Sequence, residues 1–153
     1  MTSDIHIRRA AQTDLPAIIA MLADDELGSA REDTTLPLAQ AYLDAFAAID
    51  ADPNQFLAVM TDGADVIGTL QISFLAGLSL RGARRGQIEA VRVAANRRGE
   101  SLGQRMFEWA IETCRERGCR VVQLTTNKSR LDAHRFYERL GFKASHLGYK
   151  LEL

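Results

Sequence analysis

A polar, glycine-bearing loop joins an apolar strand pattern at residues 87–93 to a long amphipathic helix pattern at 101–117, and this unit limits the folds open to the chain. In Gln-Ile-Glu-Ala-Val-Arg-Val, Ile88, Ala90 and one of Val91 or Val93 face a core, while Glu89 faces the other way. Residues 94–99 make a tight loop. Leu102, Met106, Ala110 and Cys114 then form one helical ridge, with Gly103, Phe107 and Ile111 beside it. Gly118 suits the position after the helix end, and Arg115 and Arg117 suit its negative pole.

The rest of the chain alternates short strand and helix patterns. Residues 5–8 read as a strand. Asp14 reads as the N-cap or a first-turn residue of a helix that runs to about Asp24, with Pro16 in its first turn and Leu15, Ile18, Ile19 and Leu22 at helical spacing. Residues 25–35 read as a loop and 36–50 as a second helix, with Leu38, Tyr42 and Phe46 on one stripe. Strands at 55–61 and 66–75 flank Asp62-Gly63, a strong hairpin signal. An Arg-rich connection over 77–86 leads to the 87–93 strand. After the long helix come a strand at 121–125, a short helix capped by Asp132 and ended by Gly141, and a final strand at 142–151, broken at Gly148. The order predicts an α/β domain with one sheet and helices on both faces, spanning residues 1–153.

Composition narrows the function classes. The chain has 153 residues, 46% hydrophobic and 25% charged, which suits one folded domain. No run approaches the roughly 20 apolar residues of a membrane span, and the first residues do not resemble a signal peptide, so a cytoplasmic location is expected. Cys114 and Cys119 have neither disulfide-framework nor zinc spacing, and the three histidines are scattered, so no metal is expected. The net charge of −1 hides an asymmetry: residues 1–62 carry eleven acids and three bases, and 63–153 carry nine acids and sixteen bases. Seven arginines fall within 81–105. That segment suits an anionic ligand; nucleic acid is disfavoured by the near-neutral total.

The loop before the long helix supplies an anion site. First-turn N–H groups have no partner inside their helix, and the dipole places partial positive charge there. Gly99 and Gly103 clear space for a phosphate, and Arg97 and Arg98 add charge. A Walker loop and a dinucleotide fingerprint are both absent. Arg98-Gly99-Glu100-Ser101-Leu102-Gly103 instead resembles motif A of the GNAT superfamily, with Ser101 where the family usually has glycine. Ala133-His134-Arg135-Phe136-Tyr137-Glu138-Arg139-Leu140-Gly141-Phe142 resembles that superfamily's motif B, in the family's order and at about its separation.

This resemblance implies a twisted, mixed and mostly antiparallel sheet of six to seven strands with about four helices. It implies an acyl-CoA-dependent N-acetyltransferase, moving acetyl from acetyl-CoA to a primary amine of a small molecule or peptide in a ternary complex. The alternative on the same fold is a non-catalytic CoA-binding or sensing module. The resemblance makes Glu89 the general base and Tyr137 the acid, or a contact, at the CoA sulfur. A carboxylate that faces solvent, or one salt-bridged to Arg84 or Arg85, is the plainer reading of Glu89, and an aromatic anchor that of Tyr137. The backbone of Val91, Arg92 and Val93 would meet the pantetheine amides, with a bulge aiming one N–H at the thioester oxygen. Arg98, Gly99, Glu100, Ser101, Leu102 and Gly103 would hold the pyrophosphate, and Asn127 and Arg130 would reach the cofactor. Asp25, Glu26, Glu32 and Asp33 suit a cationic acceptor, whereas Arg31, Arg84 or Arg85 would suit an acceptor bearing a carboxylate. The superfamily's habits also admit a homodimer, with no membrane partner.

Overall fold

The computed structural model describes residues 3–153. Five strands lie side by side in chain order: β1 (Ile5–Arg9), β2 (Gln55–Asp62), β3 (Asp65–Leu75), β4 (Arg84–Val93) and β5 (Cys119–Gln123). Neighbours are antiparallel except β4 and β5, which are parallel. The helices are α1 (Leu15–Ala23), α2 (Glu26–Ser29), α3 (Gln40–Ala51), α4 (Ser79–Gly82), α5 (Leu102–Glu116) and α6 (Leu131–Arg139). Among the described residues no helix is long and apolar enough to cross a membrane.

Strand alternation sends side chains to two cores. Ala58, Met60, Leu70, Ile72 and Ile88 pack under Leu102, Met106, Phe107, Ala110 and Cys114 of α5. On the other face Val59 meets Leu15, Ile18 and Ile19 of α1, with Leu38, Tyr42, Leu43 and Phe46 around them. Gly86 lets α5 sit close to β4: a Cβ there would lie 2.3 Å from Cys114 Sγ. Burial pushes the Cys114 thiol up to about 12, so it is a packing group and not a nucleophile.

Several expectations are corrected. Among the described residues the sheet has five strands rather than six to seven, because residues 142–151 pair with none of them. There are six helices rather than about four, since α2 and α4 are single turns inside stretches expected to be irregular. Leu80 and Arg81 in α4 have left-handed φ angles of 53° and 60°, so it is a turn more than a helix. β4 starts three residues earlier than its apolar pattern, at Arg84, whose side chain donates to Asn54 Oδ1 at 2.6 Å. The residue before α6 is Arg130, and Asp132 sits in its first turn.

Asp14 does precede α1, but its carboxylate caps nothing in that helix. It accepts from Arg8 at 2.7 and 3.0 Å and from the Ala11 N–H at 2.7 Å. The Arg8 hydrogen bonds hold its carboxyl below the usual aspartate range, against the opposing effect of burial. A group depressed in the folded state stabilises above its unfolded value, about 3.9, and loses that contribution as pH falls through the folded one. Asp14→Asn is therefore expected to cost about 2 kcal/mol at neutral pH. The difference from wild type should shrink in urea titrations at progressively lower pH.

Candidate active site

Strand β4 departs from regular pairing at one point. Gln71 of β3 lies opposite Glu89, and Thr69 opposite Arg92, so Leu70 alone faces both Ala90 and Val91. This is a β-bulge, and Ala90 takes a φ of 55° to make it. An alanine in that region costs roughly 1–2 kcal/mol, which the β3 pairing on either side of the bulge must offset.

On its other edge β4 pairs with β5 only from Arg84 to Gln87. Beyond that point residues 88–93 keep β3 on one side and, among the described residues, have no strand on this edge, which leaves a wedge past the end of β5. Its wall is the bulged backbone of Val91, Arg92 and Val93, which offers ladder N–H and C=O groups to an extended amide-bearing ligand.

The wedge leads to the loop before α5. Gly99 has a φ of 87° and Ser101 a φ of 58°. The left-handed conformation at Ser101 explains why glycine is usual at this place in the motif. A cavity of about 510 Å³ opens against the helix start, lined by Val93, Arg98, Gly99, Ser101, Leu102, Gly103 and Gln104, with Arg97, Phe136, Arg139 and Leu140. Its fit to a pyrophosphate lies in the uncapped first turn, the two glycines and the arginines.

The arginines differ in their availability. Arg97 is tied to Glu100 at 2.8 and 2.9 Å and to Asp62 at 3.1 Å, so it braces the loop. The Arg97 guanidinium in turn holds the Glu100 carboxyl below its ordinary range. Arg98 is more exposed, with a long 3.6 Å contact to Asp24. Arg139, unmarked by the sequence reading, lines the same cavity from the end of α6. Its signal was its place one turn after Phe136.

Tyr137 sits in an aromatic cluster, with ring centroids 5.4 Å from Phe107, 5.7 Å from Phe136 and 6.2 Å from Phe142. Burial pushes its phenol up, and the nearby Arg130 and Arg92 charges oppose that. Glu89 is exposed on the opposite face of β4 from Ile88. Neither suggested partner holds it, since Arg84 donates to Asn54 and Arg85 to Gln123. Glu89 thus has neither arginine as a partner, while the Tyr137 phenol is close enough to Arg92 for that charge to act on it.

Arg92 shares the Glu89 face. Its guanidinium meets Asp25 Oδ2 at 3.2 Å, the same atom that accepts from Arg130 at 2.5 Å. Arg92 Nε is buried without a partner. Burial lowers the Arg92 pKa most, followed by the Arg130 charge. Arg130 lies away from the cavity at the start of α5 and borders a second depression, of about 600 Å³, with Asp25, Glu26 and Ser129. Asn127 builds the turn before α6, accepting from Ser129 N–H at 2.9 Å and Ser129 Oγ at 2.8 Å. Of the acids expected to greet a cationic acceptor, Asp25 is occupied by arginines, Glu32 accepts from Tyr42 at 3.2 Å, and Asp33 accepts from Thr35 N–H at 2.9 Å.

Known proteins share both the sequence and the architecture. An aminoalkylphosphonate N-acetyltransferase of Salmonella typhimurium is 37% identical over 111 residues, 72% of this chain and 71% of that protein. A streptothricin acetyltransferase of Streptomyces lavendulae is 33% identical over 93 residues, 61% of this chain and 46% of that one. A crystal structure described as a transcriptional regulator from Bacillus halodurans C-125 superposes with a TM-score of 0.95 at 46% identity, covering 97% of this chain and 99% of that one. The model of the acetyltransferase (GNAT) family matches residues 18–142, from within α1 past the end of α6. That span contains the bulge, the wedge, the glycine loop before α5 and Tyr137, and on it the chain belongs to the GNAT family of acyl-CoA-dependent N-acetyltransferases.

Proposed function

We propose that the chain acts as one domain over residues 1–153 and acetylates a small acceptor amine by direct transfer within a ternary complex. The supporting observation is the wedge beside the β4 bulge, with Glu89 exposed on β4 and Tyr137 close to Arg92 of the same strand. Acetyl-CoA is the donor substrate. Val91, Arg92 and Val93 pair through their backbones with its pantetheine amides. Arg98, Gly99, Glu100, Ser101, Leu102 and Gly103 hold its pyrophosphate, Glu100 through its N–H because its carboxylate is engaged by Arg97. Arg139 adds charge to that cavity.

A bulge N–H stabilises the oxyanion that forms when the amine attacks the thioester carbonyl. Glu89 takes the amine proton, directly or through water. Tyr137, kept protonated by its burial, gives a proton to the departing sulfur. A thiol ionises near 8.5, so its thiolate already leaves readily. Tyr137→Phe is accordingly expected to lower kcat about tenfold, with KM for acetyl-CoA little changed. A variant as fast as wild type would leave Tyr137 only its packing role.

The acceptor in this reading carries an acidic group as well as its amine. Arg92 and Arg130 converge on one atom of Asp25, and Arg31 is near enough to act on Arg92. Paired guanidiniums of this kind suit a phosphonate, phosphate or carboxylate. The substrate class named for the Salmonella typhimurium relative agrees with this. Arg92→Gln should raise KM for an aminoalkylphosphonate about 10- to 100-fold, while KM for a neutral amine of similar length stays put. Equal losses for both acceptors would remove the anion contact from the reading. We place the enzyme in the cytoplasm, as a homodimer, with no nucleic-acid, membrane or metal partner.

A further inference from the structure

The sheet face that carries Glu89 is lined by amides beside it. Along β4, Arg85, Gln87 and Glu89 point to one side, away from Ile88 and the α5 core. Gln87 lies opposite Gln123 of β5, and this is the last pair in register before the wedge opens. The two side chains continue the pairing, since Gln123 Nε2 donates to Gln87 Oε1 at 3.1 Å. Arg85 in turn donates to Gln123 Oε1 at 3.2 Å.

The direction of this chain is fixed at its first member. A guanidinium has donors and no acceptor, so only the oxygen end of the Gln123 amide can face Arg85. Gln123 must then turn its nitrogen to Gln87, and Gln87 must answer with its oxygen. That leaves Gln87 Nε2, with two N–H groups, at the free end. Among the described residues it has no protein partner and is not one of the buried orphan atoms, so it reaches solvent. Neighbouring polar groups are engaged elsewhere. Gln71, opposite Glu89 on β3, donates to Gln55 at 2.9 Å, and Arg92 is held by Asp25 and the Val91 C=O. Two residues of strand advance about 6.8 Å, a separation that a glutamine amide, one water and a carboxylate can span.

We infer, resting on the proposed role of Glu89 as base, that Gln87 is a positioning residue: its N–H groups hold the water through which that carboxylate takes the amine proton. The water accepts from Gln87 on one lone pair and donates to Glu89. Its second lone pair faces the acceptor amine. The amine's proton passes to this lone pair while the water's own proton passes to Glu89, so the water is regenerated and Glu89 ends protonated. An amide turned the other way would present Gln87 Oε1 and draw the water's proton away from Glu89. Arg85 and Gln123 therefore set the direction of the proton's path without touching the substrate.

Steady-state kinetics of two variants test this. Gln87→Leu removes the donor. Gln123→Glu keeps the size and the contact to Arg85, but a carboxylate cannot donate, so the Gln87 amide turns over. Each is expected to lower kcat about tenfold, the worth of one well-placed hydrogen bond, with KM for acetyl-CoA unchanged. Because Gln87 acts through Glu89, Gln87→Leu/Glu89→Gln should be no slower than Glu89→Gln alone. Wild-type kcat in either variant that still binds acetyl-CoA overturns the inference, and a variant that has lost that binding leaves the decision to the other. A tenfold loss that repeats in the Glu89→Gln background also overturns it, because the defect is then one of packing. Glu89→Gln as fast as wild type would put the base elsewhere and remove the functional reading of Glu89 as well. A slow Glu89→Gln beside a fast Gln87→Leu removes the water's holder and leaves the base in place.

Discussion

Glu89→Gln is expected to lower kcat/KM about 100-fold or more near neutral pH, with KM for acetyl-CoA unchanged. The reason is the protonation of the acceptor. An alkyl ammonium ionises near 10.4, so about one molecule in a few thousand is a nucleophile at pH 7. Recovering that deficit is worth about 4–5 kcal/mol at 1.36 kcal/mol per unit. Glu89 is exposed on β4, with Arg84 and Arg85 engaged elsewhere, so its oxygens are free to accept the proton or to order a water. The defect should narrow as pH approaches the amine's own ionisation, where the acceptor needs no base. A pH profile of kcat/KM for both enzymes measures this. Parallel profiles at every pH would place the base elsewhere.

The largest effect on stability is expected at Phe107. Its side chain is 1% exposed, and its ring meets Phe136, Tyr137 and Phe142 edge-on at 5.6, 5.4 and 6.1 Å. Phe107→Ala removes the hub that joins α5, α6 and the residue after it. Truncations of this kind cost about 3–5 kcal/mol, a large share of the roughly 5–15 kcal/mol that holds a domain folded. Thermal unfolding should fall by about 10 °C. Phe107→Leu keeps most of the volume and should cost less. Among molecules still folded, Phe107→Ala should also approach the slower turnover of Tyr137→Phe, because the phenol loses one wall of its seat. Full activity per folded molecule would show that the phenol is held without Phe107.

The elements that were legible in the sequence are those whose pattern is satisfied locally. The α5 ridge of Leu102, Met106, Ala110 and Cys114 fixes a helix from its own spacing, and Asp62-Gly63 fixes the β2–β3 hairpin. The family itself was readable from the contiguous segments 98–103 and 133–142. What escaped depends on distant partners. The start of β4 looks polar because Arg84 and Arg85 are satisfied by Asn54 and Gln123, 30 and 38 residues away. The bulge has no glycine to announce it, since Ala90 adopts the left-handed conformation under the constraint of β3. The Asp25–Arg130 contact joins residues 105 apart. The 142–151 pattern was read as a strand on its alternation alone, and a strand also needs a neighbour.

The bulge and wedge divide the labour of recognition unequally between main chain and side chains. In the proposed function the donor is met along β4 by peptide groups, which every sequence supplies, so that grip would survive substitution at Val91 or Val93 as long as the backbone path is kept. In the same proposal the acceptor is met by Glu89, Arg92 and Arg130, side chains that a single substitution can alter. Drift or selection in this scaffold can therefore exchange one amine for another without first rebuilding the machinery that delivers the acyl group. Tolerance on one side and lability on the other follow from a single residue, Ala90, that breaks the regular ladder.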